Sequence, residues 1–140
     1  MEPIISVVIV NYNAGNFLRE CIDSLLKCTL KTEIIVVDNA STDESLHAIN
    51  GLSEVHIIRN KHNLGFSAGC NTGLRITKAA HILFLNPDCS FSPEALTHLI
   101  RHLEAHDQAG MVGGLLVNPD GTEQGGGRRS IPTPCRTLVK

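Results

Sequence analysis

Asn86-Pro87-Asp88 closes the apolar run His81–Leu85, and two earlier apolar runs close on the same kinds of side chain. Ile4–Val10 ends on Asn11-Tyr12-Asn13, and Ile34–Val37 ends on Asp38-Asn39. Carboxylates and amides ligate hard divalent cations and hydrogen-bond the hydroxyls and base edges of nucleotides. Three short runs that each discharge such a group point to one polar site at the C-terminal edge of a parallel sheet, where open α/β sheets bind ligands. Asp88 is then the carboxylate nearest the reacting end of the ligand, suited to a divalent metal that carries phosphates. Asp38 is placed to accept from a ribose or a base. The plain alternatives are a helix cap for Asp38-Asn39 and a strand terminus at a Pro turn for Asp88.

Other chemistry-bearing patterns are weaker. Gly65, Gly69 and Gly73 recur every fourth residue and line one helical face. They match neither the G-x-G-x-x-G dinucleotide fingerprint nor a phosphate loop with G-K-[ST]. Close packing of a helix on a strand explains Gly69 and Gly73, whereas Asn63 and Gly65 sit at the helix start, where backbone N–H groups could face a ligand. His98, His102 and His106 stand one turn apart with Glu94 a turn earlier, but no second ligand cluster converges on them, so a solvated helix face is the better reading. The five cysteines form no C-x-x-C pair, and their odd number argues for reduced thiols in a reducing compartment.

The elements that must position these residues follow from periodicity. Ile4–Val10, Glu33–Val37, Val55–Ile58 and His81–Leu85 read as strands, the first covered on both faces. Phe17, Cys21, Leu25 and Cys28 recur at helical spacing, with Leu18 and Ile22 widening the stripe. A short helix capped by Ser41 or Asp43 is expected through Ile49, and another over Leu64–Lys78. Ser92-Pro93-Glu94 is a helix start that runs to about His106. Met111–Val117 is a last apolar run before the turn Asn118-Pro119-Asp120-Gly121. Alternating strands and helices predict an α/β fold with an open, mainly parallel sheet. Gly125–Arg129, followed by Pro132 and Pro134, reads as a loop or linker.

Composition narrows the class. The chain has 140 residues, 42% of them hydrophobic and 19% charged, enough for one domain with a real core. A net charge of −2 and 4% aromatic residues give no nucleic-acid footprint. No stretch approaches the ~18 apolar residues of a membrane span. The N-terminal apolar run is too short and too acidic for a signal peptide, so a cytoplasmic location is expected, with peripheral attachment to the inner face of the membrane as its variant.

The strings ISVVIVNYN, VVDNASTD, NLGFSAGCNTG and LFLNPD, in this order and spacing, resemble the family 2 glycosyltransferases, from about Ile4 to Gly121. LNPD together with VNYN and NLGF is most similar to the rhamnosyltransferase-like branch of bacterial surface-polysaccharide synthesis. The resemblance implies a Rossmann-like GT-A fold with helices on both faces of the sheet. Residues 1–121 would be the N-terminal, nucleotide-sugar-binding part, and 122–140 a flexible loop toward an acceptor half. It implies that Asn11, Tyr12 and Asn13 contact the nucleotide and that Asp38, with Asn39 beside it, binds the base or ribose. Asn63 and Gly65 would lie against the nucleotide, with Asn71 just beyond. Asn86 and Asp88 match the D-x-D motif, Asp88 as ligand of Mg²⁺ or Mn²⁺.

The implied partners are a nucleotide-diphosphate sugar (a dTDP- or UDP-sugar) and a saccharide or lipid-linked acceptor. The implied reaction is inverting transfer, with the catalytic base expected beyond Lys140. This chain departs from the family in two places. Asn86 replaces the first Asp of D-x-D, and Cys70 stands where many relatives carry Arg or Asn. Asp120 and Glu123, the late acids, do not match the family's base motif. Two other readings compete: a non-catalytic sugar-nucleotide-binding module, and an unrelated receiver-like domain. The latter calls for acids near the end of the first strand, where Asn11 and Asn13 are amides.

Overall fold

The computed structural model describes residues 3–125. Four parallel strands, β1 (Ile5–Asn11), β2 (Thr32–Asp38), β3 (Val55–Arg59) and β4 (His81–Leu85), form one sheet in the order β3-β2-β1-β4. β1 lies inside the sheet with all seven residues buried, which is why its sequence is continuously apolar rather than alternating. Helices α1 (Phe17–Leu26) and α3 (Ala95–Glu104) cover one face, and α2 (Phe66–Leu74) the other.

On the first face Leu18, Ile22 and Leu25 of α1, and Leu96 of α3, meet Val7, Ile9, Ile34 and Val36. On the second, α2 rests its glycines directly on the sheet. A Cβ at Gly73 would stand 2.4 Å from a Val8 methyl, and one at Gly69 2.7 Å from a Val10 methyl. Gly69 and Gly73 are therefore packing residues, as their spacing suggests.

The chain crosses from β3 back over β1 to reach β4. The strand order therefore reverses between β1 and β4, and a doubly wound sheet opens a crevice at that switch point. The register levels the strand ends there: Asn11 pairs with Asp38, Asp38 with Arg59, and Ile9 with Leu85.

Several expectations shift. The helix read over Leu64–Lys78 shortens to Phe66–Leu74, because Gly65 takes φ 83°, outside any helix, and the chain leaves through tight turns at Ile76 and Thr77. The short helix through Ile49 contracts to a 3₁₀ turn, His47–Ile49, since the Asp43 carboxylate binds Ser45 instead of letting the turn propagate. Ser92 supplies its carbonyl, not its hydroxyl, to the start of α3. Phe17 is exposed rather than part of the buried stripe.

β4 is half open, because α2 packs chiefly on β1 and β2. Ile82 and Phe84, on the α2 face beside β1, remain 39% and 46% exposed. Met111–Val117 adds no strand to the sheet. Its end joins a small hairpin in which Gln124 N–H donates to the Leu116 carbonyl around the expected Asn118–Gly121 turn. His98, His102 and His106 are exposed, and no group of three or more metal-ligating side chains occurs among the described residues. Cys21, Cys28, Cys70 and Cys89 are free thiols; Cys135 and the linker read beyond Gly125 lie outside the described residues. Among those residues no helix is long and apolar enough to cross a membrane.

Candidate functional site

At the C-terminal edge, the loops after β1 and β2 are tied to each other through side chains. Asn11, fully buried, donates through Nδ2 to Asp38 Oδ1 (2.8 Å), Ser41 Oγ (3.0 Å) and Ser45 Oγ (2.9 Å). An amide has two hydrogens, so one is shared between acceptors. The neighbours dictate this orientation: the Ser41 hydroxyl spends its hydrogen on Asp38 (2.6 Å) and the Ser45 hydroxyl on Asp43 (2.5 Å). Asn11 Oδ1 is left buried without a partner among the described residues. Asp38, 3% exposed, also accepts from Ser41 N–H with Oδ2.

The next loop is anchored the same way. Asn13 N–H donates to Ser41 Oγ, and Asn13 Oδ1 accepts from Thr42 N–H at 2.8 Å. Asp43 Oδ2 accepts from Gly15 N–H at 2.7 Å. The Ser45 hydroxyl, followed by the Gly15 and Ser45 N–H groups, holds the Asp43 carboxyl below its ordinary value. These bonds keep Asn13 (φ 54°), Gly15 (φ 57°) and Ala40 (φ 62°) in left-handed conformations, which non-glycine residues adopt at a cost. Tyr12, between Asn11 and Asn13 in the chain, is 53% exposed.

A second cluster joins β2, β3 and α2. Asn39 donates to the Gly65 carbonyl (3.2 Å) and accepts from Asn60 Nδ2 (2.8 Å). Asn63 Oδ1 accepts from Gly65 N–H at 2.8 Å. The Gly65 N–H, expected to face a ligand, is thus spent on Asn63, and the open donors at this helix start belong to the residues after it. Asn71 is exposed on α2.

The third group is the turn after β4. Cys89 N–H donates to the Asn86 carbonyl at 3.2 Å, closing Asn86-Pro87-Asp88-Cys89 with both Asn86 and Asp88 exposed. Asp88 Oδ1 takes only a 3.7 Å contact from the Cys89 thiol, and Oδ2 has no partner among the described residues. No lysine or arginine among the described residues pairs with it. An unneutralised carboxylate beside an amide oxygen is part of the oxygen set that Mg²⁺ or Mn²⁺ requires, which two phosphates would complete. The residues present fit such an ion. Burial, with the neighbouring Cys89 thiol and the Asp88 charge behind it, pushes the Cys21 thiol up to about 12. Burial and Asp88 raise that of Cys89 as well. Neither is a nucleophile at neutral pH.

The fold therefore gathers the expected residues into three groups: Asn11, Asn13 and Asp38; Asn39, Asn63 and Gly65; Asn86 and Asp88. Asn11, Asp38 and Asn39 are buried and engaged, while Tyr12, Asn71, Asn86 and Asp88 are open. Ser41 and Asp43 were legible only as a helix cap and Ser45 was not singled out, yet the three prove to be the cement of the first group. Asn60 was missed, although it follows the third strand as the other polar groups follow theirs.

The model of glycosyl transferase family 2 matches residues 6–138. The chain belongs to that family. A glycosyltransferase of Haemophilus influenzae is 31% identical over 119 residues, covering 81% of this chain and 37% of the relative. The poly(ribitol-phosphate) beta-glucosyltransferase of Bacillus spizizenii is 38% identical over 100 residues, 66% of this chain and 16% of its own length. Among solved structures, S. aureus TarS 1–349 superimposes with a TM-score of 0.67 at 24% identity, over 76% of this chain and 33% of that one. The mannosyltransferase PcManGT of Pyrobaculum calidifontis, solved with GDP-Man and Mn²⁺, gives 0.68 at 22% identity, over 74% and 33%. These similarities establish the GT-A fold expected from the motifs. This family 2 chain spans 37% of the length of the Haemophilus relative, 16% of the Bacillus one and 33% of each of the two solved structures.

Proposed function

We propose that this family 2 domain is the donor-binding portion of a metal-dependent, inverting glycosyltransferase. In this reading it takes a dTDP- or UDP-sugar and serves a saccharide or lipid-linked acceptor, as in the rhamnosyltransferase-like branch. The observation that carries the proposal is the open Asp88 carboxylate with Asn86, at the switch point where β1 ends in Asn11-Tyr12-Asn13. Residues 1–121 form the donor-binding part and 122–140 lead toward the acceptor part. The proposed place of work is the cytoplasm, with peripheral attachment to the inner face of the membrane as the variant.

Each residue's task follows from its surroundings. Asn11 and Asp38 are locked together and set the floor on which the ribose and base lie. Tyr12 offers the base an apolar face, and the exposed amides of Asn63 and Asn71 offer it polar contacts. Asn86 contacts the nucleotide-sugar, and Asp88 would hold the divalent ion, which when bound would neutralise the diphosphate leaving group. None of the three groups is assigned the base that deprotonates the acceptor hydroxyl; their proposed task is to bind the donor.

Calorimetric titration with UDP, GDP and dTDP and their sugars, with and without Mn²⁺, tests the proposal. Metal-dependent binding is expected, and Asp88→Asn should weaken it by about tenfold or more. Absence of metal-dependent binding for every donor overturns the proposal.

A further inference from the structure

The segment that carries Asp88 belongs to no helix or strand, yet it is tied at two points to one face of α1. At its start, the Asn86 carbonyl that closes the turn with Cys89 N–H also accepts from Cys21 Sγ at 3.8 Å. At its end, Phe91 N–H donates to Ser24 Oγ at 3.2 Å. The Ser24 hydroxyl in turn donates to the Cys21 carbonyl at 2.7 Å, so its own helix fixes its direction. Cys89 Sγ reaches Asp88 Oδ1 from within the turn. Phe91 packs against the core between these anchors and the start of α3.

The other end of α1 follows directly on the Asn13–Asn16 loop, which Asp43 clamps through Gly15 N–H. One ten-residue helix therefore references the metal-bearing turn to the nucleotide loop. Its buried stripe is otherwise Leu18, Ile22 and Leu25, and small polar groups stand where the turn is docked. We infer that Ser24 and Cys21 are positioning residues that set the place of the Asp88 carboxylate, without touching the ligand. This rests on Asp88 as the metal ligand. Ser24 carries the larger share, because a hydroxyl is a firm acceptor and a thiol only a weak donor.

The test titrates Mn²⁺ into the full chain with saturating UDP, GDP or dTDP. Nucleotide affinity without metal and amide hydrogen exchange at Phe91 and Cys89 are measured in parallel. Ser24→Ala should weaken Mn²⁺ binding roughly tenfold, expose the Phe91 amide to exchange, and leave metal-free nucleotide affinity within about twofold. Ser24→Thr, which keeps the hydroxyl, should restore both readouts. Cys21→Ala should weaken Mn²⁺ binding about threefold and Cys21→Ser less, which keeps the inference testable if the Ser24 variant folds poorly. Three results overturn it: unchanged Mn²⁺ affinity in Ser24→Ala despite lost Phe91 protection, equal loss of metal and nucleotide binding, or no Phe91 protection in the wild type. If the wild type binds Mn²⁺ with none of the nucleotides while Phe91 is protected, the fault lies in the metal assignment, and the inference falls with it.

Discussion

The two edges of the sheet both bury polar side chains, but they finish the task differently. At the N-terminal edge, Ser6 Oγ donates to Glu33 Oε2 at 2.6 Å, and Lys78 N–H donates to the same carboxylate at 3.0 Å. Ala79 N–H reaches Ser6 Oγ at 3.2 Å, and Lys78 Nζ lies 3.9 Å from Glu33. Every buried side-chain oxygen there has a partner, and no residue of the cluster has a left-handed backbone. At the C-terminal edge, Asn11 keeps an orphaned oxygen, Asn13 and Ala40 are left-handed, and Asp88 is open. The first edge is a clasp that closes α2 onto β1 and β2. The second carries strain and unfilled valences, which cluster where a ligand belongs.

Paired substitutions at the two edges break this comparison most sharply. Glu33→Ala leaves the buried Ser6 hydroxyl without its acceptor and the Lys78 N–H with only the longer 3.3 Å bond to Ser6 Oγ, and should cost about 3 kcal/mol in urea unfolding. Nucleotide affinity in the surviving folded fraction should be unchanged. Asp38→Ala should cost about 2 kcal/mol by freeing Asn11 and Ser41, and it should also abolish nucleotide binding. Equal effects of the two on binding would erase the distinction.

A smaller change sharpens it. Ala40 holds φ 62° where glycine pays no steric penalty. Ala40→Gly should raise stability by about 1 kcal/mol, read as an upward shift of the urea midpoint. No gain would mean that the loop relaxes in solution and that the strain is not stored.

The smallest effect is on pH. Asp43, depressed below the ordinary 3.8 by Ser45 and Gly15, favours the folded state fully above that value. Its contribution is lost as pH falls through the folded-state value. Wild type should therefore lose more stability between about pH 6 and about pH 3 than Asp43→Asn does, as urea midpoints at the two pH values will show. Parallel curves would remove Asp43 from the C-terminal network.

Much of this was legible from local pattern. The four apolar runs and the alternation with amphipathic segments led to the parallel sheet, because side-chain period reports burial within a few residues of itself. The strand-end rule found Asn11, Asp38 and Asp88. It could not tell that the first two are sealed and the third open. Ser41 and Asp43 looked like caps because capping is their commonest local use, and Ser24 looked like one more helical position. Their partners lie far along the chain, at separations of 30 for Asn11–Ser41, 28 for Gly15–Asp43 and 67 for Ser24–Phe91.

The sequence by itself determined the family, the order of strands and helices, and the kinds of group that reach the C-terminal edge. Each depends on short-range periodicity and on motifs a few residues long. Only the tertiary structure decided which of those groups are spent on the protein and which remain for a ligand. A side chain's hydrogen-bonding capacity is finite, and how it is used depends on partners that only the folded sheet brings within 3 Å, as Ser41 and Ser45 come to Asn11. The same reason leaves Asp88 open: the fold docks its turn on α1, and no cationic side chain among the described residues reaches it.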